Sequence, residues 1–265
     1  MTKLKVMPKR NWFHQRKNFG LGNFIMTTPA LRVLGRKRPV PVFFDNKPIA
    51  ELYQRCSFIT ILRKRPSSPP FGNSKIPNKI SLEESDSEAY FRMFVGKGAM
   101  PNTYVDTNIT KNLKRDKRPH IAVFHGCLNQ KPGRIRRKDL GLPIRRYIVR
   151  AILERDMVPV LLGNSSDYIN FWQNCKIDGC VNFLGKLSLR DSVSILAQCD
   201  AFISNDTGLY HAAGALKKNG LVLWRLTNPN KNRAVFSGIK HAVSRRLNFK
   251  YFRNKIDRYL DAYSL

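Results

Sequence analysis

The sequence predicts α/β domains built on mostly parallel sheets, because short apolar runs alternate with amphipathic stretches along most of its 265 residues. A 42% hydrophobic share supports a packed core. A charged segment, TKNLKRDKRP at 110–119, ends in proline just before a strong apolar run and marks a boundary between two units.

The expected strands are PVPVFF at 39–44, FITILR at 58–63, HIAVFHG at 120–126, VPVLLG at 158–163, AFISND at 201–206 and LVLWRL at 221–226. Helical periodicity lies between the later ones, at 143–155, 166–175, 188–198 and 207–217. The section between residues 65 and 90 is rich in Pro, Ser and Gly and holds the acidic cluster Glu83, Glu84, Asp86 and Glu88, which reads as irregular loop and helix entry. At the end, Phe249, Phe252, Ile256, Tyr259, Leu260 and Tyr263 share one helical face, so a closing helix is expected to pack back across both domains. The resulting division is 1–118, 119–247 and a closing helix at 248–265.

Charge sets this chain apart. It has 48 Lys and Arg against 18 Asp and Glu, a formal charge of +30. The excess is spread evenly, with 24 basic and 8 acidic residues up to Arg118 and 24 against 10 beyond it. Such a molecule calls for a polyanion, either nucleic acid or a phosphorylated glycolipid at a membrane face. No run of about 18 apolar residues occurs, and the basic start MTKLKVMPKRNWF lacks the apolar centre of a secretory signal, so a cytoplasmic protein is expected. The five cysteines are odd in number, and neither zinc nor disulfide use is expected of them.

The strongest chemical signal is AFISNDTGLYHAAGAL at 201–216, where a strand end, small residues and a helix start coincide. Asp206 and Thr207 are suited to cap the helix, and Gly208 permits close backbone approach. Free amides and the helix dipole at such a start stabilise the charge that develops on a departing diphosphate. His211 lies one turn further on and can donate to a phosphate oxygen. On local grounds alone the same segment also reads as a plain capped helix with a core histidine.

Four segments resemble the lipopolysaccharide heptosyltransferase family of glycosyltransferases: GLGNFIMTTPALRVL at 20–34, HIAVFHG at 120–126, VPVLLGN at 158–164 and NFLGKLSLRDSVSILAQCDAFISNDTGLYHAAGAL at 182–216. The resemblance implies a GT-B fold of two facing Rossmann-like domains and transfer of a sugar, with inversion, from a nucleoside diphosphate held mainly by the second domain. It places Asp206, Thr207, Gly208 and His211 along the diphosphate and Gly185 and Lys186 just before it. The family's basic residue near the phosphates has several possible equivalents here, Lys131, Arg137 and Lys138. Gly163 and Asp167 follow a strand end where a nucleoside is expected, although Asp167 also suits a helix cap. No DxD pair occurs, so leaving-group stabilisation without a metal is expected, and the nucleotide sugar enters as co-substrate rather than cofactor.

One departure concerns the acceptor side. The family's GLG is followed by an aspartate thought to take the acceptor proton, and this chain has Asn23, whose neutral amide is no base near neutral pH. Asn23 is then left to orient the acceptor or the sugar, and Asp45 and His14 are the nearest candidate bases. Asp45 also suits a turn cap, and His14 a solvated basic arm.

The acceptor follows from the charge. Basic clusters at Lys9–Lys17, Arg36–Arg38, Arg63–Arg65, Lys111–Arg118 and Lys131–Arg155 exceed what one diphosphate needs and suit a phosphate backbone. The expected acceptor is therefore hydroxymethylated cytosine in phage DNA, contacted by Arg10, Arg16, Lys17, Arg36, Lys37, Arg38, Arg134 and Arg136. Trp12, Phe13 and Phe19 are placed to fill the gap left by a turned-out base, or else form an N-terminal strand packing into the core. The rival readings are a lipopolysaccharide sugar transferase working at an anionic membrane surface, and a non-catalytic nucleic-acid-binding protein on a degenerate transferase fold.

Overall fold

The computed structural model describes residues 12–16, 20–68, 70, 72–73, 85–95, 99–106, 110–125, 138–174, 176–234, 236–246 and 248–263. Two sheets form, each with every described pair of strands parallel. The first contains β1 (Phe13–Gln15), β2 (Val40–Phe44), β3 (Ile59–Ile61) and β4 (Gly72–Asn73) in the order β3-β2-β1-β4. The second contains β5 (His120–Phe124), β6 (Val158–Leu161), β7 (Val181–Asn182), β8 (Ala201–Asn205), β9 (Gly220–Trp224) and β10 (Ile239–Val243) in the order β10-β9-β8-β5-β6-β7.

Parallel neighbours require crossover connections, and helices supply most of them. In the first half these are α1 (Leu21–Leu34), α2 (Lys47–Leu52) and α3 (Asp86–Phe94). In the second half they are α4 (Gly141–Leu153), α5 (Ser165–Asn170), α6 (Leu189–Gln198), α7 (Gly208–Ala215), α8 (Pro229–Asn232) and α9 (Phe249–Asp261). Capping residues fix most starts. Ser85 and Glu88 form a reciprocal box at α3, Asn164 and Asp167 do so at α5, and Ser188 and Thr207 cap α6 and α7.

The central strands β5, β6, β8 and β9 are buried along their whole length, as their continuous apolar runs require when helices cover both faces. One apolar core runs through both halves, joining Phe13, Phe24 and Phe44 to Phe124, Phe202 and Tyr210. It does so because α1 packs on α7 and α2 on α6. A second core lies beneath α4 and α9, around Ile148, Ile152, Phe252 and Ile256.

The closing helix departs from expectation. Its buried residues Phe252, Ile256, Tyr259 and Leu260 meet the apolar face of α4 and the strand β9, so α9 completes the second half rather than crossing both. The segment before β5 is tied down by Asp200, whose carboxylate takes two hydrogen bonds from Arg115, at 2.8 and 2.6 Å, and one from the His120 amide at 2.7 Å.

Candidate active site

Strand β8 delivers Asn205 and Asp206 to the start of α7, where Thr207 adopts an extended backbone and its hydroxyl accepts from the Tyr210 amide at 3.3 Å. Thr207 is therefore the cap, which frees the neighbouring carboxylate for other work. Asp206, 2% exposed, receives the Lys138 ammonium at 2.7 Å and the Asn232 amide at 3.0 Å on the same oxygen. Lys138 is held in place through its backbone, since its carbonyl accepts from the Asn205 side chain at 2.7 Å. Of the three basic residues expected near the phosphates, Lys138 thus stands at the helix start, while Lys131 and Arg137 lie outside the described residues.

The start of α1 meets the start of α7. A side chain on Gly22 would place its Cβ 2.5 Å from the His211 ring, and one on Gly208 would meet Leu21 at 3.2 Å. Glycine at both positions lets the two helix ends touch, so two sets of N-terminal amides face one place. The start of α1 has no side-chain cap and no acidic residue in its first turn. His211 is 5% exposed, and burial pushes its pKa down to about 4, so the ring is neutral at physiological pH and offers an N–H rather than a charge.

Beside this junction is a cavity of about 260 Å³. Thr207, Gly208 and Leu209 line one end, Gly163, Asn164 and Asp167 the other, and Leu21 reaches in from the first half. Of the expected residues, Thr207 and Gly208 for the diphosphate and Gly163 and Asp167 for the nucleoside share this one space, whereas Asp206, His211, Gly185 and Lys186 do not line it. Gly185 has φ of 70°, a left-handed conformation that favours glycine, and its amide bonds the Gly163 carbonyl at 2.9 Å. Lys186 instead turns its ammonium back to the Asn182 carbonyl at 3.0 Å, within its own turn.

The expectations for the first half are largely redirected. His14 and Asp45 are hydrogen-bonded to one another at 3.0 Å. His14 contacts Trp12 and Phe43, whereas its neighbour Phe13 contacts Phe24 of α1 and Phe94 of α3. Alternation along β1 thus puts His14 on the sheet face away from α1 and Asn23, which separates it from the helix junction. Asn23 is hydrogen-bonded to the buried Tyr90 hydroxyl, whose pKa is raised chiefly by burial. Trp12 is 2% exposed and donates its indole N–H to the Ser68 carbonyl at 2.7 Å, so it belongs to the core and is not placed to fill a gap in DNA. Arg36, Lys37 and Arg38 are exposed but follow the far end of α1, about 21 Å of helix from the junction. Exposed Arg16 lies on the junction's side, beyond the end of β1. Arg10, Lys17, Phe19, Arg134 and Arg136 lie outside the described residues.

Sequence reasoning missed His125 and Arg145. Both are buried, at 7% and 3% exposure; the Arg145 charge acts on both Asp167 and His125, and the His125 ring meets Phe171 edge-on at 6.5 Å. The HG after β5 signalled a strand end, but nothing local marks Arg145, whose partner Asp139 lies six residues earlier.

Two parallel α/β sheets that share a core, with an anion-directed helix start where they meet, define the GT-B class of fold. Residues 151–257 match the model of Glycosyltransferase family 9 (heptosyltransferase). Over 50 residues the chain is 40% identical to lipooligosaccharide heptosyltransferase 2 of Haemophilus influenzae, a stretch covering 19% of this chain and 14% of that protein. The family 9 glycosyl transferase from Veillonella parvula superimposes with a TM-score of 0.71 at 12% identity, over 91% of this chain and 88% of that one. The E. coli ADP-heptose lipopolysaccharide heptosyltransferase II gives 0.70 at 12% identity, over 96% and 98%. Among the described residues, no helix is long and apolar enough to cross a membrane.

Proposed function

We propose that the chain is an inverting glycosyltransferase that moves a sugar from a nucleoside diphosphate to a hydroxyl of a phosphorylated saccharide. The observation that carries this reading is the start of α7, where Thr207, Gly208 and Leu209 line one end of the cavity and the Lys138–Asp206 pair and His211 belong to the same helix start. In the reaction the acceptor hydroxyl oxygen attacks the anomeric carbon and releases its proton to solvent, the bond to the diphosphate oxygen breaks, and the charge on the leaving group falls to the α7 amides and Lys138. His211 adds a neutral donor. The relatives, a lipooligosaccharide heptosyltransferase and an ADP-heptose lipopolysaccharide heptosyltransferase, support a phosphorylated saccharide acceptor and make ADP the first donor fragment to try.

A second reading rests on the charge of +30. Arg16, Arg63, Lys64 and Arg65 are exposed just beyond the ends of β1 and β3, on the junction's side of the first sheet, and suit any polyanion. Hydroxymethylcytosine DNA is the alternative acceptor.

Thermal shift with ADP, UDP, GDP and CDP tests the donor. At least one should stabilise the protein, and His211→Ala should weaken that gain; no stabilisation by any of the four overturns the reading. Incubation with labelled donor and either phosphorylated lipopolysaccharide core or hydroxymethylcytosine DNA, followed by mass analysis, distinguishes the acceptors.

A further inference from the structure

Lys138 reaches the start of α7 from a turn that its own helix does not secure. The turn precedes α4, whose N-terminal Leu140 makes no side-chain cap, and Gly141 stands in the left-handed region at φ 74°. Bonds from three other elements and from within the turn hold it instead. Asn205, at the end of β8, donates its side-chain amide to the Lys138 carbonyl at 2.7 Å. Arg225, half-buried just beyond β9, donates Nη1 to the Asp139 carbonyl at 3.3 Å. The Asp139 carboxylate accepts from the Gly141 amide at 3.0 Å and from Arg145 Nη2 on α4. The Asn205 and Arg225 bonds span 67 and 86 positions of sequence, so the tertiary fold places this turn rather than its local residues.

The connection that follows β9 touches both members of the Lys138–Asp206 pair. Arg225 grips the turn that carries the ammonium, and Asn232 of α8 donates, at 3.0 Å, to the same Asp206 oxygen that receives the ammonium. An ammonium on a flexible four-carbon stem is not a fixed charge by itself. Here the carboxylate is set by the end of β8, and the lysine is restrained at its own backbone by bonds to the ends of β8 and β9. Asn205 is fully buried, so its effect on any ligand passes through the turn. The Lys138 side chain keeps 26% exposure and remains open to an anion.

We propose that Arg225 is a positioning residue of the donor site: together with Asn205 it pins the turn at 138–141 and so keeps the Lys138 ammonium at the start of α7, in place for the leaving diphosphate. The proposal rests on the donor reading above. A cation already in position stabilises the charge that develops on the departing oxygen without rearranging first. Without the Arg225 bond the Asp139 carbonyl is released, and the turn is held by Asn205 and by the Asp139 carboxylate. The ammonium then spends part of its time away from the helix start, and a bound diphosphate loses that part of its attraction. The guanidinium acts through Lys138, so its effect vanishes when the lysine is absent.

The test is a double-mutant cycle read by calorimetric titration of the full chain with ADP, UDP, GDP and CDP, using the best binder of the four. Arg225→Met should weaken that nucleotide about tenfold, the usual size for a hydrogen bond to a charged group, and Lys138→Met at least as much. The combined variant should bind no more weakly than Lys138→Met alone. Arg225→Lys, which keeps a donor for the carbonyl, should recover part of the loss. Losses that multiply in the combined variant mean that Arg225 meets the phosphates itself or acts through the fold at large, and they overturn the proposal. So does an unchanged affinity in either single variant. These outcomes leave the donor reading intact, whereas absence of any nucleotide binding by the wild type removes both. If Lys138→Met does not fold, Lys138→Met with Asp206→Asn leaves no unpaired buried charge and serves as the background. A further loss from Arg225→Met there also overturns the proposal.

Discussion

The helices α1 and α7 meet start to start, yet they are built differently. At α7 the cap is the Thr207 hydroxyl, and a buried carboxylate and an ammonium stand 2.7 Å apart beside it. At α1 the chain enters through Gly20 with no side-chain cap, and the first-turn Asn23 is tied to Tyr90. The donor side thus keeps fixed charges, whereas the acceptor side offers backbone amides and a neutral amide side chain. Charges set in place before the substrate arrives suit a leaving group, since no reorganisation is needed when its charge develops.

The contrast is broken most severely at Lys138. Lys138→Met leaves Asp206 buried without its cation and should destabilise the fold by about 3 kcal/mol, read from urea denaturation, while Asp206→Asn, which buries no unpaired charge, should be milder. Equal losses from the two would show that the pair is not electrostatic in origin.

Lower pH acts on the same side of the junction. The folded pKa of His211 is about 4, below the ordinary 6.5, so between these values the unfolded chain binds a proton that the native chain does not. Stability is therefore whole above about pH 6.5 and declines as pH falls toward 4, by about 3 kcal/mol for this group, and His125 acts in the same direction. His211→Asn should flatten the dependence of the melting temperature on pH over that window.

Contact between the helices is tested by Gly22→Ala, whose methyl would enter the His211 ring and should lower stability by about 1–3 kcal/mol through overpacking. It should also remove the nucleotide-induced thermal shift. Gly220→Ala meets the Phe202 ring at 2.2 Å, at the first residue of β9, and should destabilise without removing that shift. The smallest effect is expected at the pair of Arg233 with Glu88, 3.7 Å apart and about half exposed on both sides. Glu88→Arg should change chemical stability by no more than about 1 kcal/mol beyond the loss of its capping bond.

How much was legible in the sequence follows the same division. The six expected strands form and begin within one residue of their expected starts, because each is a continuous apolar run bounded by charged or turn residues. Strand β1 was legible only as one of two readings, an N-terminal strand packing into the core, because three residues, FHQ, sit among basic neighbours, and β10 was hidden because its IKHAV run is an edge strand with exposed Lys240 and His241. The turn at Thr207 and Gly208 was readable because capping is local. Lys138 could not be chosen from the run of cations before α4, since its selection depends on Asp206, far away in the chain. The pairing of His14 with Asp45 was hidden for the same reason, and its sheet face, fixed by β1 itself, was unknown until that strand was seen.

The core that runs from Phe13 to Phe202 has a kinetic consequence. Swinging the two halves apart would expose apolar surface all along α1 and α7, a motion opposed by hydration at every step. On the proposed donor reading, a spent nucleotide would leave most cheaply through local opening near the end of β6 and the α5 turn, with the two halves still joined. Turnover would in that case be timed by a short segment of chain, and hydrogen exchange there, rather than the angle between the halves, is the quantity that should track it.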